Sequence, residues 1–134
     1  MVTPSRTASC SCGQLRVTCR GEPPRVSICH CLECQKRTGS VFAAQARFPR
    51  EAVTVEGRSA QWTRTGDSGG SATFHFCPVC ASIVWWDPAG AEWVMVAVGA
   101  FADPSFPPPG VAVYEERQHP WTAAIGAMPL ERWR

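Results

Sequence analysis

Residues 29–40 read CHCLECQKRTGS and place Cys29, Cys31 and Cys34 within six consecutive positions. A zinc site that serves structure alone is closed by four ligands, so three clustered thiols raise the question of what completes the set. The other cysteines sharpen it. Seven of the eight fall into three clusters: Cys10 and Cys12 in CSC, the three of CHCLEC, and Cys77 and Cys80 in CPVC. Neighbours two or three positions apart are badly placed to bridge one another as disulfides, yet their sulfurs converge on one ion if the chain turns between them. On a regular strand, residues i and i+2 lie about 6–7 Å apart, whereas sulfurs on one tetrahedral zinc are about 3.8 Å apart. Each cluster therefore marks a turn, and the fold is one whose distant turns are tied by metal.

Gly13 directly after Cys12 permits such a turn, because glycine takes positive φ without steric penalty, and Pro78 fixes φ just after the first thiol of CPVC. Together Cys10, Cys12, Cys77 and Cys80 make a closed four-thiolate set that ties the start of the chain to its second half. Such a site is structural, and its metal binding is coupled to folding, with about 10–16 kcal/mol in small zinc peptides. CHCLEC offers three thiolates and leaves one position for water or substrate, the arrangement expected of a catalytic zinc. His30, between two of these ligands, is expected to point away from the ion they share, and remains an alternative fourth ligand. Cys19 is another, and would close the site. Lys36 and Arg37, immediately downstream, are either stabilisers of an incoming thiolate or an ordinary solvated loop.

Around the clusters, short segments of strand character recur: QLRVTC, VFAAQARF, AVTVEG, AQWTRT, SATFHF, SIVWW, EWVMVAV and VAVYEE, with Gly, Pro, Asp and Ser between them. The pattern predicts a mainly β, largely antiparallel domain. Leu15, Val17 and Cys19 alternate with polar residues, which makes Cys19 a core residue on a half-buried strand. Helix signals are confined to LECQKR and to a turn or two in TAAIGAMP. GDSGGS at 66–71 reads as a mobile hairpin tip; nothing after it resembles a phosphate-binding helix.

A chain of 134 residues, 45% hydrophobic and 18% charged, suits a single domain over 1–134. The formal charge of +2 and scattered basic residues argue against nucleic acid as the main partner. MVTPSRTASC lacks the apolar core of a signal peptide, and the longest apolar run, WVMVAVGAF, is too short to span a bilayer. The expectation is a soluble cytoplasmic protein, whose compartment keeps thiols reduced and free for metal or catalysis. Oligomeric state is left open.

CSCG at 10–13, CHCLECQKRTGS at 29–40, FCPVC at 76–80 and HPW at 119–121 resemble the glutathione-dependent formaldehyde-activating enzyme family, which includes the centromere protein V group. The resemblance implies an Mss4-like fold, antiparallel sheets stapled by zinc. It implies two Zn²⁺ per chain: a structural one on Cys10, Cys12, Cys77 and Cys80, and a catalytic one on Cys29, Cys31 and Cys34. The implied partner is a small thiol such as glutathione, and the implied reaction joins it to formaldehyde as S-hydroxymethylglutathione, a carbon–sulfur lyase reaction in reverse. Ala81 stands where the family commonly has glycine, so the turn after CPVC avoids positive φ or carries strain. His119 of HPW is the candidate for proton transfer.

Three rival classes remain. A non-catalytic, zinc-stabilised binding module on the same fold would present Trp85, Trp86, Trp93 and Trp121 as a contact surface. A zinc-ribbon nucleic-acid binder would need a basic stripe, which is lacking, and a dithiol oxidoreductase would keep its CxxC free of metal.

Overall fold

A computed structural model describes residues 3–66 and 69–133. Among these, ten strands form two sheets: β1 (Ser5–Ser9), β2 (Arg16–Arg20), β3 (Arg25–Cys29), β4 (Ala43–Pro49), β5 (Val53–Glu56), β6 (Ala60–Thr65), β7 (Ser71–Phe76), β8 (Ile83–Pro88), β9 (Trp93–Ala97) and β10 (Val111–Val113). The smaller sheet runs β1-β2-β5 and the larger β10-β3-β4-β9-β8-β7-β6. Pairing is antiparallel throughout except between β10 and β3, which are parallel. A short helix, α1 (Leu32–Thr38), follows β3, and residues Pro120–Ala127 wind as a 3-10 helix where TAAIGAMP predicts a turn or two. The mainly β, Mss4-like architecture is the one expected. Asp67 and Ser68 of the GDSGGS stretch, expected as a mobile hairpin tip, lie outside the described residues.

Side-chain alternation gives the large sheet two distinct faces. On one, the cross-strand neighbours Ala46, Val96, Trp85 and His75 look toward the small sheet. Leu15, Val17 and Cys19 come down to meet them, and with Phe48, Val84, Phe101 and Phe106 they form the main core. Burial of each larger side chain contributes about 1.5–3 kcal/mol. On the opposite face, Met95, Trp86, Phe74 and Trp62 follow one another across β9, β8, β7 and β6. Phe74, Trp86 and Met95 form a second cluster. Trp86 is thus interior and Trp85 stacks on His75 with ring centroids 3.8 Å apart; of the other two tryptophans the binding-module alternative names, Trp93 is half-buried and Trp121 is exposed.

Near its end the β7–β8 pairing slips. His75 faces Trp85 but Phe76 faces Ile83, leaving Val84 as an extra residue. Such a bulge bends the strand, and it turns the chain into the CPVC knuckle that starts at Cys77.

Candidate metal centres

The first centre is built by two facing knuckles. In CSCG, Gly13 has φ +83° and its N–H donates to the Cys10 carbonyl at 3.0 Å, while the Leu15 N–H donates to the Cys10 sulfur at 3.3 Å. In CPVC, the N–H groups of Val79 and Cys80 donate to the Cys77 sulfur at 3.3 and 3.5 Å. Gln14 joins the halves: its side-chain amide donates to the Cys77 sulfur at 3.0 Å and to the Arg58 carbonyl at 2.8 Å, and accepts from the Arg58 N–H. The chain passes so close to Gln14 at Gly57 that a Cβ there would lie 2.0 Å from the Gln14 carbonyl oxygen; only glycine fits.

The sulfurs of Cys10, Cys12, Cys77 and Cys80 lie within 4.8 Å of one another, with Cys12 3.6 Å from both Cys10 and Cys77. That is close to the spacing of about 3.8 Å on a tetrahedral zinc. Their electrostatics fit a dication as well. The Ser82 hydroxyl and N–H pull Cys80 down to about 5. Cys77 is also lowered, since N–H donors and Gln14 outweigh burial. At Cys12 the Gln14 N–H favours the thiolate, but burial and the neighbouring thiols push it up to about 11. Neighbouring thiols that cannot all ionise together are a donor set that a cation would complete.

Ala81 closes the second knuckle at φ +68°, its N–H donating to the Cys77 carbonyl at 2.8 Å. The turn does not avoid the left-handed region; it places an alanine there, at a cost of about 1–2 kcal/mol.

The second centre sits where β3 ends and α1 begins. Cys29 is the last residue of β3, and Cys31 is the N-cap of α1, its sulfur accepting from the Cys34 N–H at 3.2 Å. Their sulfurs and that of Cys34 lie within 4.8 Å of one another. Among the described residues no fourth ligand joins this group. His30 is buried with its backbone N–H bonded to the Val113 carbonyl at 3.0 Å, and its ring is outside the group. Cys19 lies in the main core, where burial pushes its thiol up to about 12. Both alternative fourth ligands are therefore set aside, Cys19 because it packs in the main core, against the face of the large sheet opposite to Cys29.

Cys34 is the acidic thiol here, drawn down to about 5 by hydrogen bonds from Cys29 and then Cys31, with Arg37 adding to them against burial. Cys29 moves the opposite way, raised by its contact with Cys34 and by burial. Arg37 donates to the Cys34 sulfur at 3.8 Å, and its guanidinium stands over the rings of Trp86 and Phe74 at 4.3 and 4.7 Å. It is therefore a fixed charge beside the sulfur, not part of a solvated loop. Lys36 pairs with Glu33 at 3.2 Å.

Gln35 braces this centre. Its amide nitrogen donates to the carbonyls of His30 at 2.8 Å and Arg117 at 3.1 Å, which leaves its oxygen to accept from His119 Nε2 at 2.8 Å. His119 is thereby tied to the helix as a strut, which weakens its candidacy for proton transfer. Gln35 carried no signal in the sequence, since its partners are remote. A cleft of about 520 Å³ opens on the Cys31 side, lined among others by Glu33, Arg64, Ser71, Tyr114 and Arg117.

The family model described as glutathione-dependent formaldehyde-activating enzyme matches residues 5–117. This chain belongs to that family. Among solved structures, it is similar to a crystal structure of a Rhodobacter sphaeroides protein, with a TM-score of 0.52 and 19% identity over 70% of this chain and 85% of that one. That likeness speaks to fold alone. No curated protein matches the chain. Family membership and the two thiol groups together indicate a metal-binding, glutathione-related role. No helix among the described residues is long and apolar enough to cross a membrane.

Proposed function

We propose that this member of the glutathione-dependent formaldehyde-activating family is a zinc-dependent enzyme of the carbon–sulfur lyase type, acting on a thiol–aldehyde adduct such as S-hydroxymethylglutathione. In this reading residues 1–134 form one domain that works in the cytoplasm with a small thiol as its partner. Cys10, Cys12, Cys77 and Cys80 hold a structural Zn²⁺, and Cys29, Cys31 and Cys34 hold a catalytic one. The observation that carries it is the convergence of three sulfurs, with no fourth ligand among the described residues, next to a cleft of substrate size.

When bound, the catalytic zinc supplies Lewis acidity that keeps a fourth, incoming sulfur deprotonated and nucleophilic. The chain's own residues do the rest. Arg37 adds a fixed positive charge beside Cys34, offsetting the negative charge of clustered thiolates. Arg64 and Arg117 line the cleft and complement the carboxylates of a glutathione-like thiol. Gln35 holds α1 against the β3 and Arg117 segments, so the cysteines keep their spacing while substrate comes and goes. Positioning of the sulfur against the aldehyde is the main source of rate.

Exchange spectroscopy of the glutathione–formaldehyde adduct tests the reading. Zinc-loaded protein should speed exchange above the buffer rate, and Cys34→Ser should not. Equal exchange in buffer, wild type and Cys34→Ser would favour the non-catalytic binding module.

A further inference from the structure

The face of the large sheet that carries Cys29 has a second cavity, on the other side of Glu33 from the cleft just described. It is a groove of about 630 Å³ between α1 and the β6–β8 strands, with Trp62, Phe74, Phe76 and Ile83 as its walls. Arg37 belongs to this groove and also donates to the Cys34 sulfur at 3.8 Å. The same guanidinium, held against Phe74 and Trp86, thus touches both the three-thiol centre and an aromatic surface.

The two cavities differ in chemistry. The Cys31 cleft has arginines on its walls and suits a thiol with several charges. The groove is apolar, and the charges of Lys36 and Glu33 at its edge are spent on each other at 3.2 Å. Formaldehyde carries only hydrogens beside its carbonyl oxygen and has nothing to place against four hydrophobic side chains. Glutathione, with two carboxylates and an ammonium, has more charges than the one guanidinium of Arg37 pairs there, and would set the rest against apolar walls.

Building on the enzyme reading of the three-thiol centre, we propose that this groove takes the hydrocarbon substituent of the carbonyl partner, so that the substrate is an aryl or medium-chain alkyl aldehyde, with Arg37 donating to the carbonyl oxygen. The thiolate sulfur forms a bond to the carbonyl carbon, and the π pair moves onto oxygen. That oxygen takes a proton from water, and the proton lost when the thiol ionised balances it. The product is a hemithioacetal with no change of oxidation state, and cleavage is the reverse. Arg37 stays protonated throughout and stabilises the developing oxyanion.

The test compares benzaldehyde with formaldehyde as partners for glutathione on the zinc-loaded protein, together with saturation-transfer NMR of benzyl alcohol as a binding readout. Trp62 is half exposed, so Trp62→Ala should fold, and Trp62→Phe provides the conservative control. Hydrophobic pockets discriminate by about tenfold or more per missing contact group. The expected result is an enhancement over buffer about tenfold larger for benzaldehyde than for formaldehyde. That ratio should collapse in Trp62→Ala and recover in Trp62→Phe, and saturation transfer to the ring protons should follow the same pattern. Enhancement of formaldehyde exchange with none for benzaldehyde, or a ratio indifferent to Trp62→Ala, would overturn the groove proposal and leave the enzyme reading standing. No enhancement with either aldehyde would overturn both.

Discussion

Arg37 reaches the sulfur of Cys34 at 3.8 Å while its guanidinium is stacked on Trp86 at 4.3 Å. The stack fixes a side chain that would otherwise lose rotamer freedom on every encounter with substrate, and cation–π contact of this kind contributes about 0.5–2 kcal/mol. Removing the charge should weaken binding of a thiolate by about 1.5 kcal/mol, the scale of a hydrogen bond to a charged group. Arg37→Ala is therefore expected to lower glutathione affinity by about tenfold. Arg37→Lys should recover only part of it, because an ammonium lacks the planar face that stacks. Titration calorimetry of the three proteins checks the order.

The two cysteine groups should respond differently to loss of a ligand. Cys77 accepts hydrogen bonds from Gln14, Val79 and Cys80 and ties the first knuckle to the second, so Cys77→Ser should forfeit much of the metal's contribution to folding. The expected outcome is a lower metal count with a large drop in melting temperature or loss of soluble protein. Cys31→Ser should also lose a zinc ion, yet keep nearly the wild-type melting temperature. Native mass spectrometry beside thermal melts reads both, and equal thermal damage would make the second centre structural.

Ala81 sits at φ +68°, where an L side chain is strained and glycine is not. Ala81→Gly should stabilise the protein by about 0.5–1 kcal/mol after allowing for glycine's greater freedom in the unfolded chain. For a domain of this size that is a rise of about 2–5 °C in melting temperature, measured with zinc in excess so that metal loading is constant.

His75 is buried against Trp85, and burial lowers its pKa below the usual 6.5, with Asp87 opposing weakly. A group depressed in the folded state favours folding fully above its unfolded value and loses that contribution as pH falls through the folded one. Wild-type stability should therefore decline below about pH 6.5 more steeply than that of His75→Phe. Melting temperatures of both at matched zinc between pH 5 and 8 test this, since metal loss to protons is common to the two.

The parts of the fold written in local patterns were legible. AQWTRT and SATFHF are β6 and β7 end to end, and LECQKR lies within α1. β1 and β3 were not. SRTAS is polar with only Ala8 buried, and RVSIC is buried on both faces and so shows no alternation. VAVYEE stops as a strand at Val113 because Tyr114 turns to φ +56°. At the site, cysteine spacing announced both sulfur groups. The contacts of Gln35 with Arg117 and His119 join residues 82 and 84 positions apart, and the stack of Arg37 on β7 and β8 depends on the same tertiary approach. No window of sequence contains them.

In the proposed function, Cys29, Cys31 and Cys34 form an open centre that accepts a thiol as thiolate. The most direct measurement is calorimetry of glutathione binding to zinc-loaded protein in buffers of different ionisation enthalpy. The observed heat should vary linearly with buffer enthalpy, with a slope showing proton release on binding, and Cys34→Ser should lose that dependence. Binding heat independent of buffer, or the same proton release from Cys34→Ser, would contradict it.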